Sequence, residues 1–393
     1  MKNTPLALSM TLAILAACTS APTAIPTPTE TTTATVTVVP TSTPTMTATV
    51  TTVPTNVPPT PTTKPTETPR PPTLRDFADK AGIRIGTEFT GWWFNNPKWR
   101  EIVGREFNLA TIDWGVYWIE SEPEPGKFSF STIDMQVAFA EQNHMRIRGM
   151  GLVIPSPGLL PAWLQGLSRD QMDKAIHDHV YAIVSHYKGR ISEWTVVTEP
   201  YMPPYFTNDV FYKAFGTYDY IITAFKAARD ADPSAKLIFE DDDNHTANGK
   251  ATNLTRQIVQ TLKTNGLIDS VGIEMHLRGN DAPKSSEVVQ TVQSYGIPVE
   301  ITSVDVDMRN SPGSKEQRYQ LQASIYADAV TACLAPGVCK SFSVWGIGDK
   351  YSWLEYPASN STSSLAEPTP FDDDLNPKPA YFAIRDALLA KGK

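Results

Sequence analysis

Eight short apolar, β-branched runs recur along the chain from Ile83 onward, with stretches of helical period between them. The runs are Ile83–Phe89, Leu109–Trp114, Met145–Val153, Glu193–Val197, Lys236–Glu240, Ser270–His276, Pro298–Val304 and Ser341–Gly346. Helical period appears in Gln171–Tyr187, Val210–Ala231, Ala251–Thr264, Glu287–Tyr295 and Lys315–Ala332. Strands that alternate with helices predict a parallel α/β fold, and eight of them predict closure into a (β/α)8 TIM barrel. No glycine-rich phosphate loop follows the first strand, which counts against a doubly wound nucleotide-binding sheet. There is no internal sequence repeat.

The alternation occupies residues 74–393, and what precedes it has a different character. Met1–Ala17 carries one lysine and then an apolar run through Leu6–Leu15, the pattern of an export signal, too short to span a membrane as a mature helix. The junction Leu15-Ala16-Ala17-Cys18 resembles a bacterial lipobox, which predicts cleavage before Cys18 and lipid on its sulfur. An ordinary signal peptide cleaved elsewhere is the alternative. Residues 1–18 are therefore read as a lipoprotein-type signal. Residues 19–73 are nearly all Thr, Pro, Ala and Val, a composition that cannot bury a core and that prolines hold extended. They are read as a spacer between a membrane anchor and the barrel. The expected location is exported: anchored at a bacterial surface or membrane, or else secreted.

A net charge of −8 offers no basic surface for nucleic acid. Cys333 and Cys339 remain in the barrel, and in an exported protein such a pair reads as a local disulfide. No His or Cys lies nearby at zinc-ligand spacing, so no metal and no cofactor is expected.

In such barrels chemistry sits at the C-terminal ends of the strands. The polar residues there are Glu88, Asp113, Glu199, Glu240–Asp243, Glu274, His276, Asp305 and the stretch from Trp345 to Trp353. The set is acidic and aromatic, without a basic cluster or a Ser-His-Asp order. Carboxyl groups supply proton transfer or a nucleophile for glycosidic cleavage, and flat indoles stack on sugar rings.

These residues sit in stretches that resemble family 10 glycoside hydrolases, the xylanase family, across nearly all of Leu74–Lys393. HYKGRISEWTVVTEP (His186–Pro200) resembles the fourth-strand segment that ends in the acid/base glutamate, here Glu199. ADPSAKLIFEDDDN (Ala231–Asn244) resembles the fifth-strand stretch, with Asp241 at its aspartate, and VGIEMHL (Val271–Leu277) keeps a histidine as His276. ACLAPGVCKSFSVWGIGDKYSWL (Ala332–Leu354) resembles the disulfide loop, the eighth strand and two substrate-stacking tryptophans, Trp345 and Trp353. NPKPAYFAI (Asn376–Ile384) resembles the closing helix. The resemblance implies a barrel that binds a β-linked polysaccharide or oligosaccharide, as a monomer.

The chain also departs from that family's pattern. The seventh strand's Thr-Glu-Leu-Asp, which supplies the nucleophile, reads Thr302-Ser303-Val304-Asp305. The sugar-gripping positions of the second strand read Asp113, Trp114 and Tyr117, the asparagine before the acid/base is Thr198, and the sixth strand's glutamine is Glu274. Met150, Ile154 and Pro155 replace histidines and a tryptophan. By alternation along a strand, Glu274 shares a face with Gly272 and His276, and Asp305 shares one with Ser303. Glu300 has the opposite parity and is expected to face the helices. Trp92 and Trp93 either extend a sugar platform or belong to the core. Glu274 is then either a relocated second carboxylate or a hydrogen-bonded replacement for the glutamine. Asp305 supports His276 or serves as a base. The chain is thus read as a glycoside hydrolase with a rewritten inner subsite, on xylan or on a different glycoside. The alternative is a non-catalytic carbohydrate-binding protein on the same barrel.

Overall fold

Eight parallel strands close in sequence order: β1 (Arg84–Glu88), β2 (Leu109–Ile112), β3 (Arg146–Val153), β4 (Glu193–Thr198), β5 (Lys236–Asp241), β6 (Ser270–Arg278), β7 (Val299–Asp307) and β8 (Cys339–Val344). The computed structural model describes residues 70–89, 93–201, 209–335, 337, 339–355 and 366–392. The signal segment, the spacer through residue 69, Cys18 and Trp92 lie outside the described residues. Every anticipated run overlaps a strand, with bounds that differ by up to three residues, and the fold is a (β/α)8 barrel. Helices cover the outside, among them Arg169–His186 and Lys315–Cys333, each opened by a reciprocal Ser–Gln capping box (Ser168 with Gln171, Ser314 with Gln317).

One predicted helix is divided. Val210–Ala231 forms two, Val210–Phe215 and Tyr220–Ala231, because Gly216 takes a left-handed φ of 71° and its N–H returns to the Tyr212 carbonyl. A glycine in that conformation ends a helix whatever the apolar period on either side.

Apolar side chains fill the space between strands and helices, whereas the barrel axis is polar. Register neighbours on parallel strands share a face, and Arg148 pairs with Thr111 on one side and Glu193 on the other. Its guanidinium reaches Glu300 on β7 and Ser341 on β8, contacts that cross the barrel and so fix which face is inside. Arg148 is fully buried there.

The expectation for Glu300 is overturned. Glu300 points into the barrel, with Ser341 donating to its Oε2 at 2.6 Å. The β6–β7 register pairs Ile273 with Ile301 but Glu274 with Ser303, leaving Thr302 as an extra residue. A bulge of one residue shifts the alternation, so Glu300 and Ser303 face the same way. A similar slip between Thr195 and Val197 brings Thr195 and Thr198 inward together.

Candidate active site

Strand β4 delivers Glu199 through a strained backbone. Glu199 has φ of 51° and its N–H donates to the Glu240 carbonyl at 3.1 Å. A left-handed conformation is unfavourable for a residue with a Cβ, and such residues concentrate at functional sites. It turns the carboxyl of the first residue after the strand toward the barrel mouth.

Strand β6 places Glu274 opposite Ser303 and His276 opposite Asp305. Below Glu274 the strand carries Gly272. A Cβ there would lie 2.8 to 3.2 Å from Cβ, Cγ and Cδ of Glu240, so the glycine makes way for the Glu240 side chain. Glu240 and Glu274 thus stack on one inner wall, with Glu199 above Glu240 at the end of β4. All four oxygens of Glu240 and Glu274 are buried and outside ordinary hydrogen-bond geometry. The groups in electrostatic reach of Glu274 are Glu199, Glu240 and His276, whose Nε2 lies 3.6 Å from a Glu274 oxygen.

This crowding governs the charges. Burial, and then the charges of Glu199 and Glu240, hold the Glu274 carboxyl well above the usual carboxylate range. Burial also raises Glu199, against a contact with Glu274 and the charge of His276. Glu240 is raised by burial against the Thr302 hydroxyl, the Arg148 guanidinium and Thr195. For His276 burial opposes the charge, but Asp305 and Glu274 outweigh it and hold the imidazole well above its ordinary value.

His276 is fixed by Asp305, whose Oδ1 lies 3.0 Å from Nδ1, while Trp353 Nε1 donates to Asp305 Oδ2 at 2.7 Å. The rings of Trp345 and Trp353 stand edge-on to the imidazole at 6.3 and 5.3 Å. Trp353 is 48% exposed, an indole half open to solvent beside buried acids. Ser303 is fully buried and its hydroxyl has no partner.

The other sequence-derived residues form a second wall. The Asp113 carboxylate accepts from the Trp114 N–H at 2.6 Å and from the Tyr117 hydroxyl at 3.1 Å. Burial pushes Asp113 up to about 6, with those two donors opposing it. Trp114 stands edge-on to Tyr117, and Tyr117 senses the charges of Glu88 and Glu199. Gly151, at φ of 85°, leaves room for the Tyr117 ring, which an added Cβ would meet at 2.7 Å. Asp241 is fully buried at the end of β5, and burial and then the charges of Glu199 and Asp242 hold its carboxyl well above the usual carboxylate range. Trp93 packs on Tyr351 with ring centroids 4.4 Å apart. Cys333 and Cys339 form a disulfide at the opposite end of β8. Among the described residues no cluster of His, Cys, Asp or Glu is arranged to hold a metal.

Two participants were given no role from sequence: Glu240, read only among the strand-end acids, and Arg148 in the barrel interior. Both had a signal. Each is a charged residue inside an apolar strand, two positions along from an inward neighbour.

The chain matches glycosyl hydrolase family 10 over residues 73–387. It belongs to that family. Endo-1,4-beta-xylanase B of Thermotoga neapolitana is 31% identical over 331 residues, covering 81% of this chain and 92% of the relative. The endo-1,4-beta-xylanase of Agaricus bisporus is 30% identical over 315 residues, covering 77% and 92%. Among solved structures, xylanase 10B of Thermotoga petrophila in complex with xylobiose superposes with a TM-score of 0.76 at 30% identity, covering 83% of this chain and 100% of that one. The family 10 chain is therefore a xylanase-like glycoside hydrolase, and its acids and tryptophans lie where a barrel glycosidase carries its chemistry.

Proposed function

We propose that this family 10 protein hydrolyses a β-1,4-linked xylan or xylo-oligosaccharide with Glu199 as general acid and Glu274 as the second carboxyl group. The observation that carries the reading is the placement of Glu274, inward on β6 and in register with Ser303, so that a carboxyl stands one strand from the vacated position. Serine is a poor glycosyl nucleophile without a base, and none lies within hydrogen-bond reach of Ser303. With a hydroxymethyl group in place of a carboxyethyl group, there is room for a water on the face opposite the leaving group. Glu199 then protonates the glycosidic oxygen as the bond to the anomeric carbon breaks. Glu274, in contact with Glu199 in the free protein, is parted from it by the bound sugar and water to the roughly 6.5–9.5 Å that inversion needs; it then takes a proton from the water, whose oxygen bonds to that carbon. Trp345 and Trp353 stack on sugar rings, and His276 with Asp305 orients the pair. The Asp113–Trp114–Tyr117 wall and apolar Met150 rewrite the inner subsite.

The test is turnover on xylan, mixed-linkage glucan and aryl glycosides, with the product anomer read by proton NMR. Inversion is expected, with activity lost in Glu199→Gln and Glu274→Gln. Retention of the β-anomer would refute the assignment of Glu274 as base. The empty place at Ser303 favours one second reading, a carbohydrate-binding protein that no longer turns over. Binding of xylo-oligosaccharide without hydrolysis of any substrate would establish that reading instead. The lipobox at Cys18 supports tethering at a bacterial surface, and Cys18→Ser should abolish incorporation of a labelled fatty acid into the protein.

A further inference from the structure

The chain has a net charge of −8, yet the floor of its barrel is positive. Strands β1, β3 and β5 each begin on a cation, Arg84, Arg146 and Lys236, and parallel strands all begin at the same end. Lys340, the second residue of β8, joins them. These four line a cavity of about 350 Å3 at the end of the barrel remote from Glu199 and Glu274. Arg148 stands behind its inner wall, with Nη2 on the lining residues Glu193, Glu300 and Ser341.

The acids at this floor do not use up that charge. Asp79, Glu193 and Glu300 are the carboxyl groups that line the cavity, so that with Arg148 five cations stand against three acids. Glu193 is shared by Arg146 at 2.8 Å, Arg148 at 3.3 Å and Lys236 at 3.6 Å. Glu300 accepts from Ser341 at 2.6 Å and faces Arg148 at 3.5 Å, and Asp79 accepts from the Asn108 amide at 2.7 Å. Arg84 and Lys340 are exposed, and among the described residues neither has an ion pair or a side-chain hydrogen bond. Arg84 nonetheless faces the barrel axis, because it is in register with Ser341, whose hydroxyl bonds Glu300 inside. Nε and Nη1 of Arg148, fully buried, have no acceptor either. A lone surface cation is satisfied by water. Several that converge on one concave surface instead focus a positive potential there.

We propose that the barrel floor is a binding site for a small multivalent oxyanion of the phosphate type, held by Arg84 and Lys340 with Arg146 and Lys236 flanking it. The planar guanidinium of Arg84 offers two parallel N–H donors to a tetrahedral oxyanion, and Lys340 adds a mobile charge from the neighbouring strand. Strands β1 and β8 are the first and last of the sheet, so the anion spans the seam where the barrel closes. Its role there is structural, as expected of the N-terminal face of such a barrel. The unfolded chain scatters these four cations, so binding favours the closed barrel by mass action. The site is separate from the carboxyl groups at the mouth and stands whether or not the protein turns over a glycoside.

The test is calorimetric titration of the whole protein with inorganic phosphate, against potassium chloride at matched ionic strength. Saturable one-to-one binding with Kd below about 1 mM is expected, together with a rise in melting temperature that levels off as the site fills. In Arg84→Gln/Lys340→Gln the affinity should fall at least about tenfold, since two charged donors are lost. Arg84→Lys in the otherwise unchanged chain keeps the charge without the fork and should lose less. Lys174→Gln, which removes an exposed cation on the outer helix Arg169–His186, should leave binding as it is. The substituted floor residues are exposed, and circular dichroism checks that each variant is folded.

Three results overturn the proposal. One is no saturable heat up to about ten times that Kd. Another is saturable binding that the double variant leaves intact, which would put the phosphate elsewhere. The third is a melting temperature that climbs in proportion to phosphate and equally in the double variant, the behaviour of an anion merely excluded from the protein surface.

Discussion

The loop that carries Trp353 is held by one buried ion pair, and breaking it has a cost that can be worked out. Lys378, 3% exposed, places its ammonium 3.0 Å from both Asp349 oxygens and 2.8 Å from the Glu367 carbonyl. Thr369 donates to the same carboxylate from its N–H and its hydroxyl. Burial, opposed by Lys378 and Thr369, already pushes Asp349 up to about 6. In Lys378→Met the carboxyl loses its cation and binds a proton outright at pH 7. Protonation limits that part of the penalty to the distance from about 6 to 7, or about 1.4 kcal/mol. Losing the charged donor to the Glu367 carbonyl adds about 1.5 kcal/mol. Lys378→Met should therefore cost about 3 kcal/mol at pH 7, near the lower bound for breaking a buried pair. At pH 5 Asp349 is protonated in wild type too, and the cost should fall to about 1.5 kcal/mol. Adding Asp349→Asn at pH 7 should recover most of the loss, since a neutral amide needs no cation. Urea unfolding followed by tryptophan fluorescence measures all four values. A cost that does not change between pH 7 and pH 5, or a double variant as unstable as the sum of the singles, would refute the reasoning.

Three further outcomes follow from the same geometry. Trp353→Ala should raise KM more than it lowers kcat, because it removes an exposed stacking face; Trp353→Phe should restore most of the affinity but not the bond to Asp305, which steady-state kinetics on xylo-oligosaccharides would separate. Asp305→Asn should move the pH dependence of kcat/KM, because the carboxylate is the largest influence raising the His276 pKa against burial, and its loss lets the imidazole release its proton at lower pH. His179 is buried with Nδ1 2.9 Å from Glu122 and its ring stacked 3.9 Å from that of Trp118. Burial holds its pKa below 6.5, against the pull of Glu122, so the unfolded chain binds the extra proton first and stability falls as pH drops below about 6.5. His179→Gln should flatten that fall in unfolding free energy between pH 6.5 and 5, measured by denaturant titration, even if it lowers stability overall.

How far the site was legible in the chain differs from residue to residue. Glu199 follows an apolar strand, and His276 and Asp305 lie near the ends of two others, where alternation gives Glu274 and His276 one face of their strand and Ser303 and Asp305 one face of theirs. Trp345 and Trp353 are readable because large aromatics on a polar loop have little reason to be there except contact. Alternation failed at Glu300, because one extra residue in β7 reverses the parity of everything before it, and a bulge leaves no mark in composition. It also missed the division of Val210–Ala231, where the glycine that ends the first helix sits inside an otherwise helical pattern. Arg148 and Glu240 were visible as charges in strands. Their meaning depended on groups from β3, β4, β6, β7 and β8 meeting at one axis.

By itself, then, the sequence determined the barrel and the strand that carries each acid, because periodicity and strand ends are local properties. Only the tertiary structure decided which acids stand together. Register slips in β4 and β7 set which side chains face inward, and closure of the sheet brings Arg148 under Glu240 and Glu240 under Glu274 across strands far apart in the chain. Proton affinity in that column depends on distance and burial, and neither exists until the barrel is closed.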